Sequence, residues 1–308
     1  MQLMTFKTLW GHPDTDRIDS LVTACDRALS AGFDGIEGQI PVDSALGERF
    51  AEALGARGLA YIAEVCTAGS YVPDRTASLA DHLADLDGQL RRLGPLKPLL
   101  VNCIGGCDRW DIATSVEFFR GALDLAGRHG VAIAFETHRG RSLYSPWVAE
   151  KILHSLALPL TCDFSHWCVV CEGLGESEDD LLREVARCAV HIHGRVGYDQ
   201  GPQVPDPSAP RYAADLERHL RWWRWIWEAR NLQGHSHSTL TPEFGPDGYQ
   251  AIDPVRDRPV GDLDELNRWL AQRCRAEFTG MGDDGREKRP VHLPSPAKTS
   301  PKDLRTFP

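Results

Sequence analysis

Four residues with metal-binding side chains stand at the ends of four successive apolar runs in the second half of the sequence. Glu136 ends VAIAFE, Asp163 ends LPLTCD, His193 ends CAVHIH and Glu243 ends STLTPE. Three carboxylates brought to one place repel one another strongly, and a divalent cation offsets that repulsion. Mixed oxygen and nitrogen donors suit Mn²⁺, with Mg²⁺, Co²⁺ and Zn²⁺ as alternatives. We therefore predict one divalent metal ion bound by Glu136, Asp163, His193 and Glu243.

This ligand set has a chemical consequence for the substrate. An octahedral ion with four protein ligands keeps two positions for adjacent oxygens of a bound molecule. A carbonyl and a neighbouring hydroxyl of a small sugar or polyol fit those positions, and polarising them acidifies the C–H bond between them. The residues therefore predict proton transfer on a sugar or polyol.

The four residues can meet only if their apolar runs are parallel strands of one sheet. Eight apolar runs alternate with eight helix-like segments, which is typical of parallel strands buried on both faces. Eight such units favour a single α/β domain, a closed (β/α)₈ barrel with its active site at the C-terminal strand ends. The strands are predicted at 4–10, 33–37, 59–66, 98–104, 131–136, 158–163, 188–193 and 238–243. The helices are predicted at 16–31, 44–57, 75–93, 111–129, 145–156, 178–187, 210–232 and 261–278.

Other polar residues near these strand ends are candidates for substrate binding. His166 follows the sixth run and either contacts substrate or caps its loop. His138 follows the fifth run, in HRGR, and either contacts a hydroxyl or anionic group or belongs to a solvated loop. Glu37 and Glu64 lie near the ends of the second and third runs, where each lines the pocket or forms a salt bridge. Of these two, Glu64 is the better candidate for substrate binding.

For several tryptophans and one further histidine, packing or another structural role is an expected alternative to a role in the site. We expect His191 to point away from the barrel interior, into the helix layer. Trp10, Trp110 and Trp167 either form an apolar wall for a sugar ring or pack in the core. Four tryptophans crowd into RWWRWIWEAR, and we expect that they cannot all be buried against one barrel. This crowding favours a homo-oligomer.

Composition limits the remaining functional classes. The 308 residues carry a formal net charge of −10, which argues against a broad nucleic-acid-binding face. We see no signal peptide and no run of about 18 apolar residues, so we expect no membrane span. Nine cysteines, an odd number, favour free thiols in a reducing cytoplasm, although Cys168 and Cys171 could also form a disulfide. We expect one domain over residues 1–279 and a flexible tail rich in Pro and charged residues over 280–308.

The chain resembles the xylose-isomerase-like superfamily of barrels across residues 4–279. This superfamily includes sugar isomerases, ketose 3-epimerases such as D-tagatose 3-epimerase, hydroxypyruvate isomerase, inosose dehydratase and endonuclease IV. The resemblance is carried by the glutamate of the fifth run, the D-x-x-H of Asp163 and His166, the H-x-H of the seventh run and the P-E-F-G of the eighth.

This resemblance implies roles for individual residues. Glu136 and Glu243 would bind the metal and also exchange protons on opposite faces of the substrate. Asp163 and His193 would be metal ligands only. His166 would contact substrate oxygens, and Arg195 would steady an enolate oxygen. The implied reaction is a metal-dependent sugar isomerisation or epimerisation through a metal-stabilised enediolate.

Two departures from the superfamily narrow the reaction. The third and fourth runs end in AEVCTAG and NCIGGC, without the additional histidines of endonuclease IV, so cleavage at abasic sites is disfavoured. No lysine at a strand end resembles the lysine of xylose isomerase, which disfavours a hydride shift. A lyase or dehydratase acting on a keto-sugar or inosose remains an alternative, as does a barrel that binds metal or ligand without turnover.

Overall fold

Eight parallel strands close into one barrel in the computed structural model, which describes residues 1–246 and 248–283. Each strand pairs with the next along the chain, and β8 pairs with β1. The predicted (β/α)₈ barrel is thus confirmed. The strands are β1 (Gln2–Thr8), β2 (Gly35–Gln39), β3 (Ala60–Cys66), β4 (Leu100–Ile104), β5 (Ile133–Glu136), β6 (Leu160–Cys162), β7 (Ala189–Gly194) and β8 (His237–Pro242).

Helices connect successive strands and cover the outside of the barrel. One of them, α6, was not predicted, and it begins shortly after β6. Among the described residues, a small antiparallel pair of strands, β9 (Ile252–Asp253) and β10 (Arg258–Pro259), lies in the loop after β8. The helices are α1 (Ile18–Ser30), α2 (Ser44–Arg57), α3 (Leu79–Arg91), α4 (Ile112–His129), α5 (Pro146–Ser155), α6 (Ser165–Cys171), α7 (Asp179–Cys188), α8 (Ala213–Leu232) and α9 (Leu263–Asp283).

Local sequence signals set where the helices begin and end. The Ser78 hydroxyl and the Asp81 carboxylate cap the start of α3 reciprocally. Asp111 caps α4, accepting a hydrogen bond from the backbone N–H of Thr114 at 2.7 Å. Helix α4 ends at Gly130, whose φ of 68° lies in the left-handed region that glycine adopts without a Cβ clash. These caps fix the lengths of the segments that return the chain to the barrel.

The core has two layers because side chains of a strand alternate between its faces. Phe6, Ile62, Leu100 and Ala134 meet inside the barrel and form an apolar cluster there. A second, larger cluster fills the space between the strands and the helices. The barrel interior is therefore filled by apolar side chains below the polar residues at its C-terminal mouth.

The four tryptophans of α8 are buried within the single chain. Trp222, Trp223, Trp225 and Trp227 are exposed by 7% or less. The expectation that one barrel could not bury them all is wrong, because α7 and α9 both pack against α8. Arg183 additionally covers the Trp225 ring, with its guanidinium carbon 4.0 Å from the ring centroid. Exposed tryptophans therefore no longer support a homo-oligomer, which stays a prediction.

The remaining predictions concern membrane helices, cysteines and the C-terminal tail. In the described part of the chain, no helix has the length and apolar character needed to cross a membrane. All nine cysteines lie among the described residues and carry free thiols. Helix α9 continues to Asp283, so it includes the first residues of the predicted tail. Residues 284–308 of that tail lie outside the described residues.

Candidate active site

The four predicted metal ligands come together at the C-terminal mouth of the barrel. Glu136 ends β5, Asp163 follows β6, His193 lies near the end of β7, and Glu243 follows β8. One ligand atom from each residue lies within 4.8 Å of each of the others. All four side chains are buried. Consecutive parallel strands thus deliver three carboxylates and one imidazole to a single point.

The His193 ring is held between two sets of carboxylates. Its Nε2 lies 2.9 Å from Glu37 Oε1. Its Nδ1 lies 3.0 Å from Glu243 Oε2 and 3.3 Å from Glu136 Oε2, without hydrogen-bond geometry to either. When Nε2 donates its proton to Glu37, Nδ1 directs a lone pair at two carboxylates. This arrangement fits a cation between Nδ1 and the carboxylates.

The electrostatics of the site also favour a positive charge at this point. Burial disfavours a charged imidazole, but the negative charges of Glu243, Glu37 and Glu136 outweigh it and hold the pKa of His193 well above its usual value. In the absence of a metal ion, a proton on His193 therefore supplies the charge that the carboxylates require. The donor set and this unsatisfied ring nitrogen together fit a divalent metal ion.

Hydrogen bonds fix the orientation of two of the carboxylates. Asp163 Oδ1 accepts from the backbone N–H of Ser165 at 2.9 Å and from the Ser165 hydroxyl. Because Ser165 is the first residue of α6, this unpredicted helix positions Asp163. Asn102 Nδ2 donates to Glu136 Oε2 at 2.9 Å. Asn102 was not predicted as a site residue, and its place in the middle of β4 gave no signal for this contact.

The two proposed acid–base glutamates have different electrostatic surroundings. Burial raises the pKa of both carboxyl groups, and the positive charge of His193 lowers both. For Glu136 the favourable charges prevail, and its pKa lies below the usual value. For Glu243 burial prevails, and its pKa lies above the usual value. Such a separation is typical of a pair in which one group accepts a proton while the other holds one.

Arg195 and the two predicted histidines form a cluster beside the ligands. Arg195 Nη2 pairs with Asp163 and lies 2.9 Å from His166 Nε2. The rings of His138 and His166 lie 4.0 Å apart between centroids. Burial lowers the pKa of His138 to about 4 and that of His166 well below its usual value, so both are neutral near pH 7. His138 lines the cavity, while His166 contacts the cluster from behind.

A cavity of about 260 Å³ opens directly above the ligands. Three of the predicted substrate-binding residues, Glu64, His138 and Arg195, line it. Trp10 also lines it, as one interpretation predicted, whereas Trp167 instead donates to the Leu143 carbonyl at 2.9 Å. The full lining is Trp10, Gln39, Glu64, Cys66, Ser70, Tyr71, Ile104, Glu136, His138, Arg195, Glu243 and Tyr249.

Trp10 and Tyr249 form an aromatic wall of this cavity around the guanidinium of Arg195. The Arg195 carbon lies 5.5 Å from the Trp10 ring centroid and 4.8 Å from that of Tyr249. The two rings meet edge to face, with centroids 5.1 Å apart. Tyr249 was missed because it lies in the irregular loop after β8, where no strand or helix pattern indicates its direction.

Glu64 faces the cavity with a carboxyl group that is a weaker acid than an ordinary glutamate. Burial and the negative charges of Glu243, Glu37 and Glu136 raise its pKa to about 8. Among the described residues it forms no salt bridge, so the alternative interpretation of a salt bridge at the mouth gains no support. A neutral carboxylic acid near pH 7 can donate a hydrogen bond to a substrate oxygen.

A hydrogen-bond network inside the barrel supports His193 from below. Glu37 Oε2 accepts from the Thr241 hydroxyl and lies 3.1 Å from His191 Nε2. His191 Nδ1 is in turn 2.8 Å from Thr239 Oγ1. The expectation that His191 points into the helix layer is wrong, because residues two apart on a strand share one face. The H-x-H spacing therefore carried the correct signal.

Comparison with known proteins shows which family this chain belongs to. A model of the family described as xylose isomerase-like TIM barrel matches residues 25–220. The chain belongs to the xylose isomerase-like TIM barrel family. Comparison with curated proteins gave no match.

Solved structures similar to this xylose isomerase-like barrel share its fold at low sequence identity. D-allulose 3-epimerase from Methylomonas sp., in complex with D-allulose, is 16% identical, covers 90% of this chain and 97% of its own, and has a TM-score of 0.60. A magnesium complex of a xylose isomerase-like TIM barrel protein from Mycobacterium smegmatis is 14% identical, with coverages of 89% and 97% and a TM-score of 0.57. Endonuclease IV from Thermus thermophilus is 14% identical, with coverages of 91% and 100% and a TM-score of 0.54.

Proposed function

We propose that this protein is a divalent-metal-dependent sugar isomerase or epimerase that works by proton transfer. The observation that carries the proposal is the placement of Glu136 and Glu243 around one ligand point. Their Oε2 atoms lie 3.3 Å and 3.0 Å from the same nitrogen, His193 Nδ1. Two carboxylates in different electrostatic surroundings at one centre suit removal and return of a proton.

Glu136, Asp163, His193 and Glu243 are the residues that would hold the metal ion. Mn²⁺ suits this donor set, and Mg²⁺, Co²⁺ and Zn²⁺ remain alternatives. The magnesium complex of the Mycobacterium smegmatis protein supports a divalent ion in this fold. When bound, the ion would polarise two neighbouring substrate oxygens and so acidify the C–H bond between them.

The protein's own side chains supply the remaining steps. Glu136 and Glu243 would form the acid–base pair, in which one carboxylate accepts the carbon-bound proton and the other carboxyl group returns a proton to the substrate. In the reverse reaction the two roles exchange. Arg195, paired with Asp163, keeps a positive charge at the wall where negative charge develops on the substrate oxygen.

The neutral groups around the cavity orient the substrate hydroxyls. His138 is uncharged near neutral pH, so its ring offers one donor and one acceptor. Glu64 donates from its protonated carboxyl group. We assign His138, Glu64 and Arg195 to substrate binding, and a small neutral sugar or polyol is the matching ligand. The predicted substrate contact of His166 finds no support, because His166 does not line the cavity and instead contacts Arg195 and His138.

Relatives of the same fold support sugar chemistry without deciding the reaction. The similar structures include D-allulose 3-epimerase bound to D-allulose and L-ribulose 3-epimerase. They also include a probable 3-DHS dehydratase, so elimination from a related substrate is the second candidate. Endonuclease activity finds less support, because the formal net charge of −10 argues against nucleic-acid binding.

The decisive experiment follows solvent deuterium into a panel of ketoses. Wild-type protein and Glu243→Gln are analysed for bound metal, then incubated with each sugar in deuterated water. We expect about one metal ion per wild-type chain and deuterium at one sugar carbon, with exchange lost in Glu243→Gln. Metal binding with loss of water from the sugar would replace this proposal by elimination, and wild-type protein that binds no metal would overturn it.

A further inference from the structure

The cavity above the metal ligands continues sideways into a second space. A groove of about 480 Å³ runs between the segment after β1 and the segment after β2. Trp10, Gln39 and Glu64 line both the cavity and the groove, so the two spaces join at these three side chains. A ligand seated on the metal therefore has an open path from the cavity into the groove.

The cavity above the ligands is small on its own, whereas the cavity and the groove together could hold a larger molecule. Its volume of about 260 Å³ lies below the ~300–1,000 Å³ that is usual for small-molecule sites. The groove is larger than the cavity, at about 480 Å³. A single sugar ring held at the metal would leave the groove filled with water alone. The dimensions therefore favour a substrate with a second ring-sized part.

The residues at the junction have the chemistry that binds a sugar ring. Trp10 provides an aromatic face, on which the C–H face of a pyranose can pack. The Gln39 amide and the Glu64 carboxyl group make no side-chain hydrogen bonds to the described residues and can serve hydroxyl groups. Together they offer one apolar face and two polar groups within reach of one ring.

The charges of the groove argue against a phosphorylated substrate. No lysine or arginine occurs among the described residues that line it, whereas Asp16 and Asp43 do. Its one histidine, His12, has a pKa lowered by burial, so it is neutral near pH 7. A phosphate group would find acidic neighbours and no basic partner there. The substituent that enters the groove is therefore uncharged.

The outer wall of the groove is apolar and partly exposed. Ile40, Pro41 and Leu46 line it together with Val42, whose side chain is 83% exposed. Such a wall next to hydroxyl-binding groups matches the two faces of a pyranose, one carrying C–H groups and the other hydroxyls. It also offers a replaceable side chain, Val42, that does not belong to the metal ligands.

From this geometry we infer that the substrate is a neutral glycosylated sugar, whose reacting ketose occupies the cavity and whose second ring lies in the groove. The inference rests on the proposed function for the chemistry at the metal end. It specifies the substrate class of the proposed enzyme as a neutral ketose glycoside and excludes a free or phosphorylated monosaccharide as the preferred substrate.

The test compares D-fructose, D-fructose 6-phosphate and glucosyl-fructoses linked through O4 or O6. Deuterium exchange and calorimetric binding are measured for metal-loaded wild type, and binding is repeated after metal removal. We expect one glucosyl-fructose to exceed both other sugars by about tenfold in kcat/KM and in affinity, a gain of the size that one stacked ring provides. Equal or better use of free fructose or its phosphate would overturn the inference.

Val42→Trp is the matched groove variant, with Val255→Trp as its control. Val255 is 88% exposed and does not line the groove. Val42→Trp should weaken binding and exchange of the glucosyl-fructose while leaving free fructose unchanged, and Val255→Trp should affect neither. If no sugar exchanges deuterium yet the glycoside binds and Val42→Trp weakens it, the proposed reaction fails and the groove inference stands. If Val42→Trp leaves glycoside binding unchanged, or if no sugar binds, the groove inference fails.

Discussion

Glu37 Oε1 lies 2.9 Å from His193 Nε2, while His193 Nδ1 faces Glu136 and Glu243. A carboxylate that accepts the proton of one ring nitrogen leaves the other nitrogen with its lone pair and makes it a stronger ligand. Glu37 is itself fixed by the Thr241 hydroxyl and by His191. A residue of β2 thus determines which nitrogen of a β7 histidine is left to face the proposed metal ion.

Replacing Glu37 with Gln should weaken metal binding without removing a ligand. The amide oxygen is a poorer acceptor than the carboxylate, and Gln can also present its NH₂ group to Nε2 and so favour the wrong tautomer. We expect Mn²⁺ affinity to fall by about 10–100-fold, the range typical of partners behind metal ligands. Isothermal titration calorimetry measures the change. Glu64→Gln, which removes another carboxyl group from the mouth, serves as the control and should retain much more of the affinity.

The contrast between Glu37 and the four ligands explains how far sequence reasoning could reach. The convergence of Glu136, Asp163, His193 and Glu243 was predictable because the C-terminal ends of parallel strands in a barrel meet at one mouth. The contact of Glu37 with His193 spans 156 positions along the chain and depends on the register of several strand pairs. No local pattern encodes that register, so the supporting network appeared only in the structure.

Other differences have separate physical causes. Burial of Trp222 and Trp223 depends on how α7 and α9 pack against α8, which the sequence pattern of α8 cannot indicate. The direction of Tyr249 depends on an irregular loop without periodicity. The direction of His191, in contrast, followed from strand geometry alone, because alternate residues share a face.

Metal binding should stabilise the folded protein, and this effect should depend on Asp163. The carboxylates converge only in the folded chain, so an ion at about 100 times its Kd adds about 2.7 kcal/mol. At an unfolding entropy of about 2.1 cal/mol/K per residue, we expect Tm to rise by roughly 4 °C when Mn²⁺ replaces EDTA. Differential scanning calorimetry should show that Asp163→Asn loses most of this rise.

The exposed Asp199, which follows β7 in the same chain region, offers a matched control. Asp199→Asn removes the same charge without touching the ligand point, so its metal-dependent rise in Tm should equal that of wild type. An Asp163→Asn protein with the full rise would show that the ion binds elsewhere.

Glu64 should make the stability of the metal-free protein depend on pH. Its folded pKa is about 8, against 4.5 for an ordinary glutamate. Between these values the folded chain keeps a proton that the unfolded chain has released, so stability falls as pH rises. The contribution of neutral Glu64 is complete below about pH 4.5 and is lost as pH passes through 8. In EDTA, the Tm of Glu64→Gln minus that of wild type should therefore increase from about pH 5 to about pH 8.

A distant glutamate provides the comparison for this pH series. Glu228 is exposed on α8, so Glu228→Gln should follow the wild-type curve at every pH. Wild-type and Glu64→Gln curves that stay parallel over the whole series would mean that the Glu64 carboxyl group is ionised throughout, contrary to its surroundings.

Gly245 should control the position of Trp10 and thereby the shape of the cavity. A Cβ at Gly245 would lie 2.0 Å from Trp10 Cε3, a distance at which the indole ring must move. The backbone cannot retreat easily, because Gln203 accepts from the Gly245 N–H at 2.9 Å and donates to its carbonyl at 3.1 Å. A displaced Trp10 changes both the wall beside Arg195 and the junction with the groove. Since a shift of about 1 Å in a positioning group can lower a rate about 100-fold, we expect Gly245→Ala to reduce kcat/KM for deuterium exchange by about 10–100-fold.

Metal affinity should remain at the wild-type level in Gly245→Ala, because Trp10 does not belong to the ligand group. Gly55→Ala is the matched control: the residue lies within helix α2, and its added Cβ would meet no atom within 4 Å beyond its chain neighbours and the backbone of its own helix. There alanine should leave exchange unchanged and raise stability by about 0.5–1 kcal/mol, because it restricts the unfolded chain. Full activity in Gly245→Ala would mean that Trp10 can shift without consequence and is no part of the substrate wall. Loss of metal binding together with activity would instead place the effect of Gly245 on the ligands.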